Sequence, residues 1–143
     1  MKVKIIRIDK TLPLPEYQTE GSVAFDIYTR EDAIIGAREL KVLPSNLIIA
    51  VPKGYMLMLA ARSSLAKKGL RLGNSVGVID EDYHGPKDEI CVSLFNFTDQ
   101  PVELKKGDRV AQGLVVPIQR VEWEEQEEIK KDSRGGFGST GTN

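Results

Sequence analysis

The segment EICVSLFNF, residues 89–97, decides the fold. Alternation along an extended chain puts Ile90, Val92 and Leu94 on one side and Cys91, Phe95 and Phe97 on the other. A strand apolar on both sides predicts burial between two layers. The other apolar stretches, read outward from this one, are just as short and β-rich. NLIIAVP (46–52) and YMLMLAA (55–61) flank a turn at Pro52–Gly54 and read as paired strands. RVAQGLVVPI (109–118) follows the turn KKGD and is expected to end before Pro117 breaks the ladder. MKVKIIRI (1–8) alternates Val3 and Ile5, then slips phase to Ile6 and Ile8, which predicts a strand with an irregularity. Only RSSLAKKGL, Arg62 to Leu70, reads as helix, for about two turns. Many short strands between Gly/Pro turns make the chain all-β: a sandwich, jelly roll or barrel.

At 143 residues the chain forms one domain, and 41% hydrophobic with 29% charged residues describes a globular protein. Lys+Arg 20 against Asp+Glu 21 leaves a net charge of -1. No global basic field exists to attract a nucleic-acid polymer, so an anionic ligand has to be caught by local geometry. The single cysteine, Cys91, excludes an internal disulfide and a Cys-rich metal site, and its apolar neighbours predict a buried, inert thiol. The N-terminus lacks a signal-peptide run, and no segment reaches membrane-spanning length; a cytoplasmic protein is expected. Residues 1–122 read as a β-rich core, 123–133 as a charged connector, and 134–143 (RGGFGSTGTN) as a glycine-rich tail or lid.

The richest chemistry lies in GNSVGVIDEDYHG, residues 73–85. Val78 and Ile79 lead into Asp80, Asp82 and Tyr83, which sets a carboxylate at the mouth of an apolar pocket. Partial burial nudges such a carboxylate's pKa upward and suits it to orient and deprotonate a water. Asp80 and Asp82 also share a side of an extended chain, as a metal pair would. An acidic β-turn with Tyr83 packed behind it accounts for the same residues. His84, the only histidine, reads as a surface residue in a turn, with no nucleophile set beside it. ARSSLAKKG offers Arg62 and two hydroxyls at the start of a short helix, suited to phosphate oxygens; a capped helix explains the serines equally well. KKGDRVAQG contributes Asp108, Arg109 and Gln112, or merely a turn closed by an Asp–Arg pair. In the tail, Gly138, Ser139 and Thr140 offer amides and hydroxyls to an anion, while Phe137 has nothing apolar nearby and awaits a planar partner.

In this order the segments resemble the five motifs of the homotrimeric dUTPase family: SVAFDIY, ARSSLA, GNSVGVIDEDYHG, GDRVAQG and GGFGSTG. The resemblance implies a jelly-roll-like distorted barrel of the β-clip type, with one short helix, a flexible C-terminal arm and active sites at the interfaces of a homotrimer. It implies hydrolysis of dUTP to dUMP and pyrophosphate, which limits uracil incorporation into DNA and supplies dUMP for dTMP synthesis. Asp80 matches the aspartate that activates the attacking water, and Gln112 the residue that holds the α-phosphate. Arg62, Ser63 and Ser64 match phosphate ligands. Asn74, Gly77, Val78 and Ile79 match the hairpin that reads uracil, and Tyr83 the ring under the deoxyribose. Arg134, Phe137, Gly138, Ser139 and Thr140 match the closing lid. Mg²⁺ is the implied cofactor, with Asp26 an indirect partner through water.

Departures from the family pattern are Ala61 and Ser64 in place of proline and glycine, and PKD (86–88) as a short insertion. Arg134 stands three residues before Phe137 where the family's arginine commonly stands five; that position holds Asp132. Two rivals share the resemblance. A dCTP deaminase, or a bifunctional deaminase and dUTPase, carries a glutamate where this chain has Ser93. A non-catalytic nucleotide-sensing homologue dispenses with the carboxylate that Asp80 supplies.

Overall fold

A computed structural model describes residues 1–141; Thr142 and Asn143, the end of the expected lid, lie outside the described residues. The described chain is almost entirely β. Eleven strands follow in order: β1 Lys4–Arg7, β2 Phe25–Tyr28, β3 Ala33–Ile35, β4 Leu40–Pro44, β5 Leu47–Ala50, β6 Tyr55–Ala60, β7 Leu70–Leu72, β8 Gly77–Ile79, β9 Cys91–Asn96, β10 Val102–Leu104 and β11 Arg109–Pro117. They form four antiparallel sheets, in the orders β1-β5, β10-β3, β2-β11-β6-β8 and β4-β9-β7. All four contribute to one core, in which Ile27, Ile35, Leu57, Leu94 and Leu104 are essentially inaccessible. Truncating any of these to alanine removes roughly 2–5 kcal/mol of stability. This is the jelly-roll-like, β-rich fold expected.

Five local expectations are corrected. The strands flanking Pro52–Gly54 do not pair with each other: β5 pairs β1, and β6 lies between β11 and β8. The turn redirects the chain from one sheet to another instead of closing a hairpin. β1 runs in unbroken register from Lys4↔Ala50 to Arg7↔Leu47, and the phase slip is absorbed by leaving Ile6 and Ile8 exposed. The segment after Arg62 yields a single 3₁₀ turn, Ala66–Lys68, because Gly69 leaves the helical region at φ 80. β9 buries one side only: Ile90, Val92 and Leu94 enter the core, whereas Cys91 and Phe97 are exposed. Pro117 is the last residue of the β11 ladder, opposite Tyr55, and does not fall outside it.

Two buried asparagines stand where backbone donors and acceptors would otherwise be orphaned. Asn46, in the left-handed region at φ 76, accepts from the Asp9 amide through Oδ1 and donates through Nδ2 to the Asp9 carbonyl. Asn96 donates to the carbonyls of Ile35, Gly36 and Gln100 and accepts from Thr98. Neither belongs to the expected chemistry; both hold the loops that frame the sheets.

Candidate active site

The four-stranded sheet carries the site. Leu57, Leu59 and Val115 face the core, with Gly113 at the inner position opposite Leu59, so Met56, Met58, Ala60, Gln112 and Leu114 point outward by alternation. On one rung, Asp26 of β2 sits opposite Gln112 of β11, which sits opposite Ala60 of β6. A bulge shapes this corner. The register shifts between Arg109 and Ala111, so Val110 is the extra residue, and both Val110 and Ala111 are buried. Without the bulge, Arg109 and Gln112, three apart, would point to opposite faces; with it they share one.

Arg109 Nη1 therefore reaches Asp26 Oδ2 at 3.2 Å. From the other side, just beyond β6, Arg62 Nε donates to Asp26 Oδ1 at 2.8 Å and Nη1 to Ser64 Oγ at 3.1 Å. Gln112 Nε2 donates to the Ala61 carbonyl at 2.9 Å. Asp26 is 7% exposed at its side chain, and burying that carboxylate is tolerable only because two guanidiniums share it. The expected Asp108–Arg109 pair does not form: Asp108 Oδ2 caps its own turn, accepting from the Lys105 amide. Two cations and one anion leave this corner net positive, with Ser63 exposed beside it. Burial, and after it the Asp26 charge, raises the pKa of nearby Tyr28, against the opposing pull of Arg109 and Arg62.

The second half of the candidate site lies at the opposite corner of the same outer face. β8 is the sheet's edge, paired to β6 through Gly77↔Leu59, Val78↔Met58 and Ile79↔Leu57. Only glycine fits at position 77, since a Cβ there would meet Leu59 Cβ at 2.9 Å. The approach leaves Val78 60% exposed, with one backbone edge of β8 unpaired by the sheet. Asn74 and Ser75, the latter at φ 63, form the turn before it. Asp80 follows directly, exposed; its carbonyl accepts from the Tyr83 amide at 3.2 Å. The burial expected of Asp80 is not provided by its own chain. Tyr83 is 39% exposed and donates its hydroxyl to the Glu89 carbonyl. The PKD insertion is closed by Asp88, whose carboxylate accepts from the Gly85 amide.

The two corners are far apart. One further step of the β6–β8 ladder sets Asp80 level with Met56, four residues from Ala60. At ~3.3 Å per residue and ~4.8 Å per strand, Gln112 and Asp80 are separated by on the order of 15 Å. Half-buried Met56, Met58, Leu114 and Val116 fill the space between. The tail joins neither corner. From Val121 to Gly141 every residue is exposed, including Trp123, Arg134 and Phe137; Gly138, Ser139 and Thr140 form a local turn.

A model of the dUTPase family matches residues 10–141. The chain belongs to the dUTPase family. The deoxyuridine 5'-triphosphate nucleotidohydrolase of Dictyoglomus turgidum is 44% identical over 150 residues, covering 99% of each chain. Among solved structures, the dUTPase from Streptococcus mutans superposes with a TM-score of 0.77 at 35% identity, covering 86% of this chain and 100% of that one. Staphylococcus bacteriophage 80alpha dUTPase, solved with dUPNHPP, superposes at 0.86 over 99% of both chains, and at 24% identity shows the shared fold.

Within this dUTPase family chain, the structure brings Asp26, Arg62, Ser64 and Gln112 of the sequence-expected residues together and leaves Asp80, Tyr83 and the tail apart from them. Arg109, offered by the sequence either as a candidate with Gln112 or as half of a turn-closing pair, stands in the Asp26 corner, and only the bulge at Val110 reveals it. Cys91 is exposed, not buried, and its thiol is raised by desolvation and then by Glu89. Among the described residues no group of three or more His, Cys, Asp or Glu gathers, and no helix is long and apolar enough to cross a membrane.

Proposed function

We propose that this chain is a dUTP diphosphatase, hydrolysing dUTP to dUMP and pyrophosphate. The observation that carries the reading is the interlocked corner of Asp26, Arg62, Ser64, Arg109 and Gln112, drawn from three separate segments into one net-positive site. Gln112 holds the α-phosphate, and Arg62, Ser63 and Ser64 hold the phosphates beyond it. Asp80 accepts a hydrogen bond from a water and takes its proton as the water attacks the α-phosphorus; the bond to the bridging oxygen breaks and pyrophosphate leaves. Uracil has an imide edge that an unpaired strand edge can read. Asn74, Gly77, Val78 and Ile79 supply that edge, with no room for a 5-methyl group, and Tyr83 lies under the deoxyribose. Arg134, Phe137, Gly138, Ser139 and Thr140 close over the nucleotide, so that residues 134–143 act as a lid on the connector 123–133.

The site is shared between copies of the chain in a homotrimer. Side chains stand roughly perpendicular to a sheet, so the gap of about 15 Å between Gln112 and Asp80 is not closed by reaching. One α-phosphate is served by both only if the Asp80 corner of one copy meets the Asp26 corner of another. The exposed apolar side chains Leu40 and Val42 and the outward Phe95, on the far sheet, fit burial between subunits.

Divalent metal use goes with the family, and Mg²⁺ suits this chain. Both Asp26 oxygens are engaged by guanidinium yet keep lone pairs for a water, which fits an indirect role, while triphosphate oxygens provide the inner ligands. When bound, the ion draws negative charge off the leaving pyrophosphate. The activity limits uracil incorporation into DNA and supplies dUMP, in the cytoplasm. Incubation with dUTP, dCTP and dTTP plus Mg²⁺ tests the reading: pyrophosphate from dUTP alone supports it. Ammonia from dCTP overturns it in favour of a deaminase, and no turnover favours a sensing homologue.

A further inference from the structure

The turn that carries Asp80 is anchored by the next residue. The Glu81 side chain is 20% exposed and accepts two hydrogen bonds: from the Gly54 amide at Oε2, 2.7 Å, and from Arg120 Nη2 at Oε1, 3.1 Å. It sits in a cleft of about 160 Å³ with Lys53, Gly54, Ile118, Gln119 and Arg120. Glu81 and Asp82 are the central residues of the turn closed by the Tyr83 amide on the Asp80 carbonyl. Glu81 is drawn inward to the Pro52–Gly54 turn, which ties this turn to the body while Asp80 beside it is exposed. The same carboxylate reaches the last point at which the C-terminal segment touches the body. Ile118 donates its amide to the Gly54 carbonyl at 2.9 Å, Arg120 binds Glu81, and from Val121 onward the described chain is exposed.

We propose that Glu81 is a positioning residue that sets the direction of Asp80 and, through Arg120, fixes the root of the C-terminal segment to the catalytic turn. The inference rests on the dUTPase reading for its kinetic consequence, and on the two hydrogen bonds alone for its structural one. Losing the carboxylate frees the turn Asp80–Gly85 to swing, while the pairing of β8 with β6 persists. Glutamine keeps one carbonyl oxygen for the Gly54 amide but loses the charge that Arg120 seeks.

The experiment compares Glu81→Ala, Glu81→Gln and Arg120→Ala with wild type in full-length protein. Two readouts are used: dUTP kinetics, and hydrogen exchange of the Tyr83 and His84 amides, which bond to the Asp80 and Asp82 carbonyls. Glu81→Ala is expected to lower kcat about 30-fold with KM within about twofold, and to lose protection about tenfold at Tyr83 and His84 but not in β9 or β11. Glu81→Gln is expected to recover most of the protection and part of kcat, and Arg120→Ala to have the smaller effect. Unchanged protection and kcat in Glu81→Ala overturn the proposal. So does protection lost across the whole sheet, which makes Glu81 a residue of the fold. If wild type does not turn over dUTP, the dUTPase reading fails, and the exchange data still decide the role of Glu81.

Discussion

The corner around Asp26 and the tail from Arg134 to Thr140 are both assigned to the same triphosphate, and they are built in opposite ways. At the corner the charged groups are paired before substrate arrives: two guanidiniums on one carboxylate, a serine on one of them, and a glutamine on a backbone carbonyl. In the tail, Phe137 is fully exposed and the only order is a pair of local turns. The difference divides the labour. A pre-formed corner binds phosphate without reorganising, while an unattached lid spends ordering entropy only when a nucleotide is present and then excludes water.

Asp80 belongs to neither class, being fixed by its turn yet exposed, and its variant has the largest expected effect. Asp80→Asn is expected to reduce kcat by about 10³-fold while retaining nucleotide binding, measured by pyrophosphate release and calorimetry. Near-normal turnover removes Asp80 from the chemistry. Deleting residues 134–143 is expected to lower kcat/KM about 100-fold and leave the melting temperature unchanged, because the described residues of the tail, 134–141, are all exposed and bond only locally. An unchanged kcat/KM refutes the lid.

The pre-formed corner responds differently, in stability as well as rate. Arg109→Ala is expected to cost about tenfold in kcat/KM and about 1 kcal/mol of stability. The stability effect is small because Arg109 is 44% exposed and Arg62 still pairs Asp26. At this chain length that is a fall of roughly 3 °C in Tm. A loss of rate with no loss of stability would show that the corner is not held together by this pair.

The smallest effect lies outside both regions. Lys106 and Thr11 hold the Asp9 carboxyl well below its ordinary value of 3.8. A depressed carboxyl stabilises the fold above that ordinary value and loses its contribution as pH falls through the folded value. Lys106→Met is thus expected to be slightly less stable at pH 7, with the gap to wild type closing below about pH 4 in urea titrations. A gap independent of pH would assign the loss to packing.

The strands β1, β5, β6, β9 and β11 were legible as short apolar runs between turns, whereas β2, β3, β4, β7 and β10 were not, and neither was pairing. β5 and β6 are adjacent in sequence and apolar, yet each finds its partner far along the chain, at β1 and at β11. Periodicity carries which side of a strand seeks cover but not which strand provides it. β9 shows the same limit: Phe95 and Phe97 are apolar enough to read as core, and nothing in their spacing says whether cover comes from the same chain. The candidate residues were legible as an ordered set of motifs that resemble the family's. The role of Arg109 was not, because it depends on one extra residue, Val110, that reverses the parity of β11. Glu81 was hidden for a simpler reason. It lies among acidic residues of one turn, and only the fold distinguishes the one that points inward.

The central claim is that the Asp80 corner of one copy works with the Asp26 corner of another. Asp80→Asn and Arg62→Ala chains, each inactive as pure oligomers, can be co-refolded in equal amounts and assayed for pyrophosphate release from dUTP. Random assembly into trimers leaves about a quarter of the sites with both corners intact, so about a quarter of wild-type turnover is expected. A mixture no more active than its two components would contradict a shared site and return both corners to a single chain.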